Sequence, residues 1–206
     1  MWPEADRTQE LLAGAAGGDA AAVNQLFDRH RDAIRKLIAL RMDRQMARRV
    51  DASDIVQDVL VEAAGRLQDY LAAPKLPFHL WLRSLARDRM IDLHRRNRAL
   101  RRDVTREQPL AGGGDLDRSS FNLAGQLQDA GLTPAAAAIK EELEQRFWEA
   151  IDILEEGDRE VILMRHAEHL GNGEVAEALG LSPAAAGMRY LRAIRRLREA
   201  LGGKAE

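Results

Sequence analysis

Cysteine is absent from the 206 residues, which excludes a disulfide framework, a thiolate metal centre and a cysteine nucleophile. Aromatic residues make up only 4% of the chain. No stretch alternates apolar and polar residues with period two over a useful length, so essentially no sheet is expected. Long apolar runs are missing too: the longest uncharged run is about eleven residues, against the roughly 20 that a helix needs to cross a bilayer. Met1 to Arg7 contains no basic segment followed by an apolar one; it does not read as a signal peptide, and the expected location is cytoplasmic, without membrane insertion. Net charge is also scarce, at -2 from 31 Lys+Arg and 33 Asp+Glu. Such a total argues against nucleic-acid binding unless the two signs are segregated along the chain.

They are segregated. From Arg83 to Arg106 nine arginines face three aspartates, from Lys140 to Glu160 nine acids face three bases, and from Arg189 to Arg198 five arginines meet no acid. One reading of these opposed blocks is that the acidic 140–160 segment packs against a basic helix and masks it. Between Leu110 and Thr133 the chain carries Gly112-Gly113-Gly114, Ser119-Ser120, Gly125 and Gly131, followed by Pro134. That composition suits a connector rather than a packed element. The expected organisation is a domain over 1–103, a linker over 104–134 and a second domain over 135–206.

Both domains read as helical, giving an all-α fold class. Val23, Leu26, Phe27, Ile34, Leu37 and Ile38 recur at three- and four-residue spacing after Asp19, an N-cap candidate. Ile55, Val56, Val59, Leu60, Ala63, Ala64 and Leu67 do so after Asp51 and Ser53, and Phe78, Trp81, Leu82, Leu85, Ala86, Met90 and Leu93 form a third stripe entered through Pro74 and Pro77. Each set falls on one helix face. In the second half, 135–154 is expected as a helix with Ile139, Leu143, Phe147, Ile151 and Leu154 inward, and Asp158 opens a short helix. Glu174 to Leu179 forms another, and Pro183 starts a last one with Arg189, Arg192 and Arg196 on its polar face.

Four constellations could carry function. Glu174-Val175-Ala176-Glu177-Ala178-Leu179-Gly180-Leu181-Ser182 before an arginine-rich helix fits a helix-turn-helix: a small residue, Ala176, where the helices cross, and Gly180 at the turn. Its bland alternative is a terminal amphipathic helix whose arginines complement the helix dipole. Phe78-His79-Leu80-Trp81-Leu82-Arg83, running into further arginines, combines aromatic surface with phosphate-binding groups, as single-strand capture requires; equally, Trp81 could be core and the arginines a solvated face. Asp54, Asp58 and Glu62 share a helix face with Gln57 beside them, a solvated face or a dock for a basic partner. His166-Ala167-Glu168-His169 is not a zinc-protease pattern, and no nucleophile has a partnered base. No catalytic residue, metal ligand or cofactor is expected, and an enzyme is not expected.

Taken in order, these residues resemble a bacterial sigma factor of the extracytoplasmic-function (ECF) group. Gly18-Asp19 with Ala22 resembles the opening of region 2, Asp54-Ile55-Val56-Gln57-Asp58 its "D-x-V-Q-acid" signature, and Phe78-His79-Leu80-Trp81-Leu82 its "F-x-x-W-L". Asp92 to Arg96 is similar to the close of that region. Asp158-Arg159-Glu160-Val161-Ile162 and Glu174 to Ser182 resemble region 4, with Arg189, Arg192 and Ala193 in its "R-L-x-R-A" and Tyr190 replacing the leucine. The resemblance implies that Asp54, Gln57 and Asp58 dock on the β′ clamp helices of core RNA polymerase, and that the second domain meets the β flap. It implies that Phe78, Trp81, Arg83, Arg87, Arg95 and Arg96 meet the minus-ten element of promoter DNA. Ala184, Ala185, Met188, Arg189 and Arg192 would meet the minus-thirty-five element, and an anti-sigma factor is a further partner such proteins have. Departures include Asp88 where many members have asparagine, Glu156-Gly157 in place of a proline, and Ala184-Ala185-Ala186-Gly187-Met188 where polar and β-branched residues are usual. The run from Leu170 to Leu197 is most similar to the planctomycete-type subgroup. The alternative function is a stand-alone helix-turn-helix regulator with a helical sensing domain; a third reading is a metal-dependent or phosphohydrolase enzyme using His166 and His169.

Overall fold

The computed structural model describes residues 2–42, 46, 49–107, 142–143, 146–151 and 153–202, of 97–107 the backbone alone. The chain divides into two compact units, Met1–Leu116 and Asp117–Glu206. Among the described residues there is no strand.

In the first unit, α1 (Ala5–Ala16), α2 (Ala20–Arg41), α3 (Ala52–Ala72) and α4 (Phe78–Glu107) pack together. Helix α2 touches the other three, and α3 also packs on α1 and α4. Local chemistry starts the middle helices: Asp19 Oδ1 accepts from the Ala21 amide and Asp51 Oδ1 from the Ser53 amide, both at 2.8 Å. These bonds satisfy amides that the first helical turn leaves without partners. The apolar stripes then meet in one core that includes Leu26, Ile34, Leu37, Ile38, Ile55, Val59, Phe78, Leu82 and Ala86. Helix α4 runs through residues 104–107, which had been expected to begin the linker. No proline or glycine interrupts the sequence from Phe78 to Glu107. The rest of the expected linker, 108–134, lies outside the described residues.

In the second unit, residues 146–151 are helical and bury Trp148, Ala150 and Ile151. This corrects the expected inward set: Leu143 is exposed, Phe147 is half-buried and Trp148 takes the core position three residues before Ile151. Ile139 lies outside the described residues. Helix α5 (Glu156–Ile162) passes into a π turn, Leu163–Ala167, closed by Glu168 N–H donating to the Leu163 carbonyl at 3.0 Å. Helices α6 (Asn172–Leu179) and α7 (Pro183–Gly202) follow, and α7 packs on both α5 and α6.

Candidate functional site

The arrangement of α6 and α7 is set by turn chemistry. Glu174 Oε2 accepts from the Gly171 amide at 2.7 Å, placing a carboxylate over the positive end of α6. At the other end Gly180 adopts φ 64° and ψ 34°, a left-handed conformation that costs glycine least. Leu181 N–H then donates back to the Ala176 carbonyl at 2.8 Å. Ser182 Oγ accepts from the Ala185 amide at 3.2 Å, capping α7, and Asn172 Nδ2 donates to the Pro183 carbonyl at 2.9 Å. Ala176 and Ala186 are both buried, and side chains this small let the two helices approach closely. The result is a helix-turn-helix with α7 as its second helix.

Helix α7 has three sides. Ala186, Ala193 and Leu197 are buried. Ala184, Ala185, Met188, Leu191, Arg192 and Arg195 are exposed along the opposite side. The flank between them faces α5: Arg196 Nη1 donates to Asp158 at 2.6 Å and to Glu155 at 3.1 Å. These bonds, to Glu155 and then Asp158, raise the Arg196 pKa further above its ordinary value. Arg189, two turns earlier, is half-buried on the same flank, with its guanidinium 3.5 Å from where a side chain on Gly157 would begin. The arginines expected together on one polar face are therefore split. Arg189 and Arg196 turn toward α5, whereas Arg192 turns outward with Arg195. Of the acidic block, Glu155 and Asp158 meet the basic helix; Glu142 pairs instead with Arg146 at 2.7 Å, and Glu141 and Glu144 lie outside the described residues.

In the first unit, Asp54, Gln57 and Asp58 are all exposed on α3. Val61, one turn on, is 62% exposed on the same side, an apolar feature that sequence reading passed over. Asp58 also forms an ion pair with Arg89 of α4, and Glu62 pairs with Arg66 at 2.9 Å.

The aromatic and basic group on α4 is divided between core and surface. Phe78 is buried against Phe27, His30 and Tyr70. Trp81 is half-buried and stacked on Tyr70, ring centres 4.6 Å apart, and Ser84 Oγ donates to its carbonyl at 2.7 Å. Tyr70 is fixed in turn by donation to the Leu76 carbonyl at 3.0 Å. Arg83 is 2% exposed and has a partner within the protein. Neither Phe78 nor Arg83 offers surface to a nucleic acid in this arrangement, because both lie on the inward side of α4. Arg87 is half-buried beside Asp88 at 2.9 Å, Arg95 is exposed beside Asp92 at 3.1 Å, and Arg96 is exposed. Trp81, Arg87, Arg95 and Arg96 thus remain as the accessible members.

His166 and His169 have structural surroundings. His166 Nε2 lies 2.9 Å from Tyr190 Oη, with Arg165 over the tyrosine ring, and His169 occupies the chain reversal with φ 57°. Among the described residues no group of three His, Asp or Glu side chains could hold a metal ion, and no helix is long and apolar enough to cross a membrane.

Comparison with known proteins matches residues 26–100 to the Sigma-70 region 2 family and residues 144–197 to the Sigma-70, region 4 family. The RNA polymerase sigma factor CnrH of Cupriavidus metallidurans is 32% identical, and the alignment covers 100% of both chains. The ECF RNA polymerase sigma factor SigD of Mycobacterium tuberculosis is 24% identical over 97% of this chain and 86% of its own. Among solved structures, CnrH in complex with the cytosolic domain of CnrY matches with a TM-score of 0.61 at 26% identity, covering 98% of this chain and 100% of that one. The sigma factor RpoE in complex with the anti-sigma factor NepR from Bartonella quintana gives a TM-score of 0.50 at 20% identity, over 84% of this chain and 92% of that one, a likeness of fold.

Proposed function

The chain belongs to the ECF-type RNA polymerase sigma factors, and from that membership we propose how its residues divide the work. A sigma factor binds core RNA polymerase and directs transcription initiation at promoter DNA; it is an initiation factor, not an enzyme. The exposed Asp54, Gln57 and Asp58 form the polymerase dock, on the β′ clamp helices, with the second domain reaching the β flap. The accessible side of α4, with Trp81, Arg87, Arg95 and Arg96, receives the minus-ten element. There the half-buried indole can stack on an unpaired base while arginines neutralise phosphates. Phe78 and Arg83 support that surface from within. Helix α7 enters the major groove of the minus-thirty-five element. The division of labour is that of a first domain carried to the end of α4 and a second over 135–206, with the connector after α4.

The observation that carries this reading is the outward side of α7: a helix-turn-helix presents Arg192 and Arg195 free of the core, in the same chain as an exposed acidic dock on α3. A stand-alone regulator would leave that dock without a role. CnrH, which aligns end to end, has been solved with the cytosolic domain of CnrY, and we propose that an anti-sigma protein likewise binds this chain. A cytoplasmic location follows from the polymerase it serves. The planctomycete-type assignment is also a proposal, resting on the run from Leu170 to Leu197.

Run-off transcription tests the function. Core polymerase with this protein should give a discrete transcript on promoter DNA from its own genomic neighbourhood, and core polymerase alone should not. Duplex binding without polymerase, with no transcript when polymerase is added, would favour the stand-alone regulator.

A further inference from the structure

The outward side of α7 is chemically unusual for a helix that reads DNA. Met188 is 54% exposed and Leu191 57%, and Ala184 and Ala185 are exposed beside them. At 100° per residue these four fall within one arc with Arg192 and Arg195. Met188 lies near its middle. The first turns of a recognition helix are the part that meets base edges, and here those turns carry no side chain that can donate a hydrogen bond. Ser182, just before the helix, has its Oγ engaged by the Ala185 amide, and Arg189, the residue after Met188, is turned against Gly157.

A polar base edge facing this stripe would lose water and gain no partner. One group on the floor of the major groove suits it, the C5-methyl of thymine, which is read by apolar contact. The alanines help by leaving the helix thin enough for close approach. Arg192, Arg195 and Arg198, all exposed, give the stripe a positive border, which fits a polyanion better than an apolar protein groove.

Resting on the sigma-factor reading above, we propose that Met188 is the specificity-determining residue of α7 and that it reads thymine methyl groups in the minus-thirty-five element. Ala184, Ala185 and Leu191 complete the apolar contact, and Arg192 and Arg195 hold the flanking phosphates. Recognition by this helix is directed to thymine by shape and apolar contact, not by hydrogen bonds to base edges.

The test uses the full chain assembled with core polymerase. A duplex library randomised upstream of the start region is selected by the holoenzyme, and each thymine in the selected element is then replaced by deoxyuridine, which removes the methyl and nothing else. Losing a methyl seated on Met188 should weaken binding about fourfold. In Met188→Ala the ratio between thymine and deoxyuridine duplexes should fall to one at that position, with Met188→Gln as a second, polar variant giving the same result. Both replace an exposed side chain, and thermal melting verifies that unit two is intact. Equal binding of thymine and deoxyuridine duplexes throughout would overturn the proposal. So would a wild-type ratio in Met188→Ala, or a Met188→Ala loss confined to polymerase assembly, which would make the stripe a protein contact. A holoenzyme that selects no duplex and yields no run-off transcript would instead overturn the sigma-factor reading beneath it.

Discussion

His30 lies where α1, α2 and α4 meet. It is 1% exposed, edge-on to Phe78 at 5.1 Å and tilted against Trp2 at 6.1 Å. Its Nε2 sits 3.3 Å from Thr8 Oγ1, while Nδ1 is buried without a hydrogen-bond partner. Burial, reinforced by the positive charges of His79 and Arg29, lowers its pKa to about 4. The imidazole is thus held neutral, and the unfolded chain, with a value near 6.5, takes up the proton more readily. Stability from this group is therefore full above about pH 6.5 and is lost as the pH falls toward 4, by an amount on the order of 3 kcal/mol. The melting temperature of the full chain should drop over that window. His30→Gln should flatten this limb, because a side chain that does not titrate contributes no slope; thermal melts at pH 7, 6, 5 and 4.5 check it. An unchanged slope in the variant would assign the acid sensitivity to other groups.

At the scale of elements, the helix-turn-helix depends on one backbone conformation. Gly180 holds φ 64° at the end of α6, and a side chain there meets the left-handed penalty of about 1–2 kcal/mol. Gly180→Ala should lower the stability of α6 and α7 by that amount, read as faster amide exchange in both helices, while α1 to α4 keep their protection. This turn was legible in the sequence because its chemistry is local: glycine, serine and proline stand within four residues of one another. The N-caps at Asp19 and Asp51 and the apolar stripes of α2 to α4 were legible for the same reason. What escaped depends on neighbours distant in sequence. A helix rotated by one residue turns its side chains by 100°, so spacing alone did not reveal that Arg189 and Arg196 would face α5. Nor did it place Trp148 inward in preference to Leu143. Arg83 defeated the reading differently: arginine is almost never fully buried unless paired, so a charged residue on a basic helix was assigned to the surface.

Across the molecule, the near-zero net charge is a cancellation between surfaces with separate tasks. Part of the acidic block is used inside the second unit, where Glu155 and Asp158 hold the α5-facing flank of α7 through Arg196. That contact holds the α5-facing flank of the recognition helix and leaves its Arg192 and Arg195 outward. The acids of α3 are exposed in the first unit and are proposed to meet a basic partner surface. Replacing Asp54, Gln57 and Asp58 together by alanine should abolish co-purification with core polymerase. The fold should survive. All three side chains are solvent-exposed, and the ion pair lost among the described residues, Asp58 with Arg89, is of a partly exposed kind worth about 0–1 kcal/mol. Circular dichroism and a melting temperature close to wild type would establish that the loss belongs to docking. Asp58→Asn alone separates the two roles of that residue, because it breaks the ion pair with Arg89 while keeping Asp54 and Gln57 in place. If the dock is electrostatic, the association rate of the wild-type chain should fall as salt rises, and the triple variant should lack that dependence. Retention of polymerase binding by the triple variant would move the dock elsewhere on the first unit, with exposed Val61 as the next residue to change.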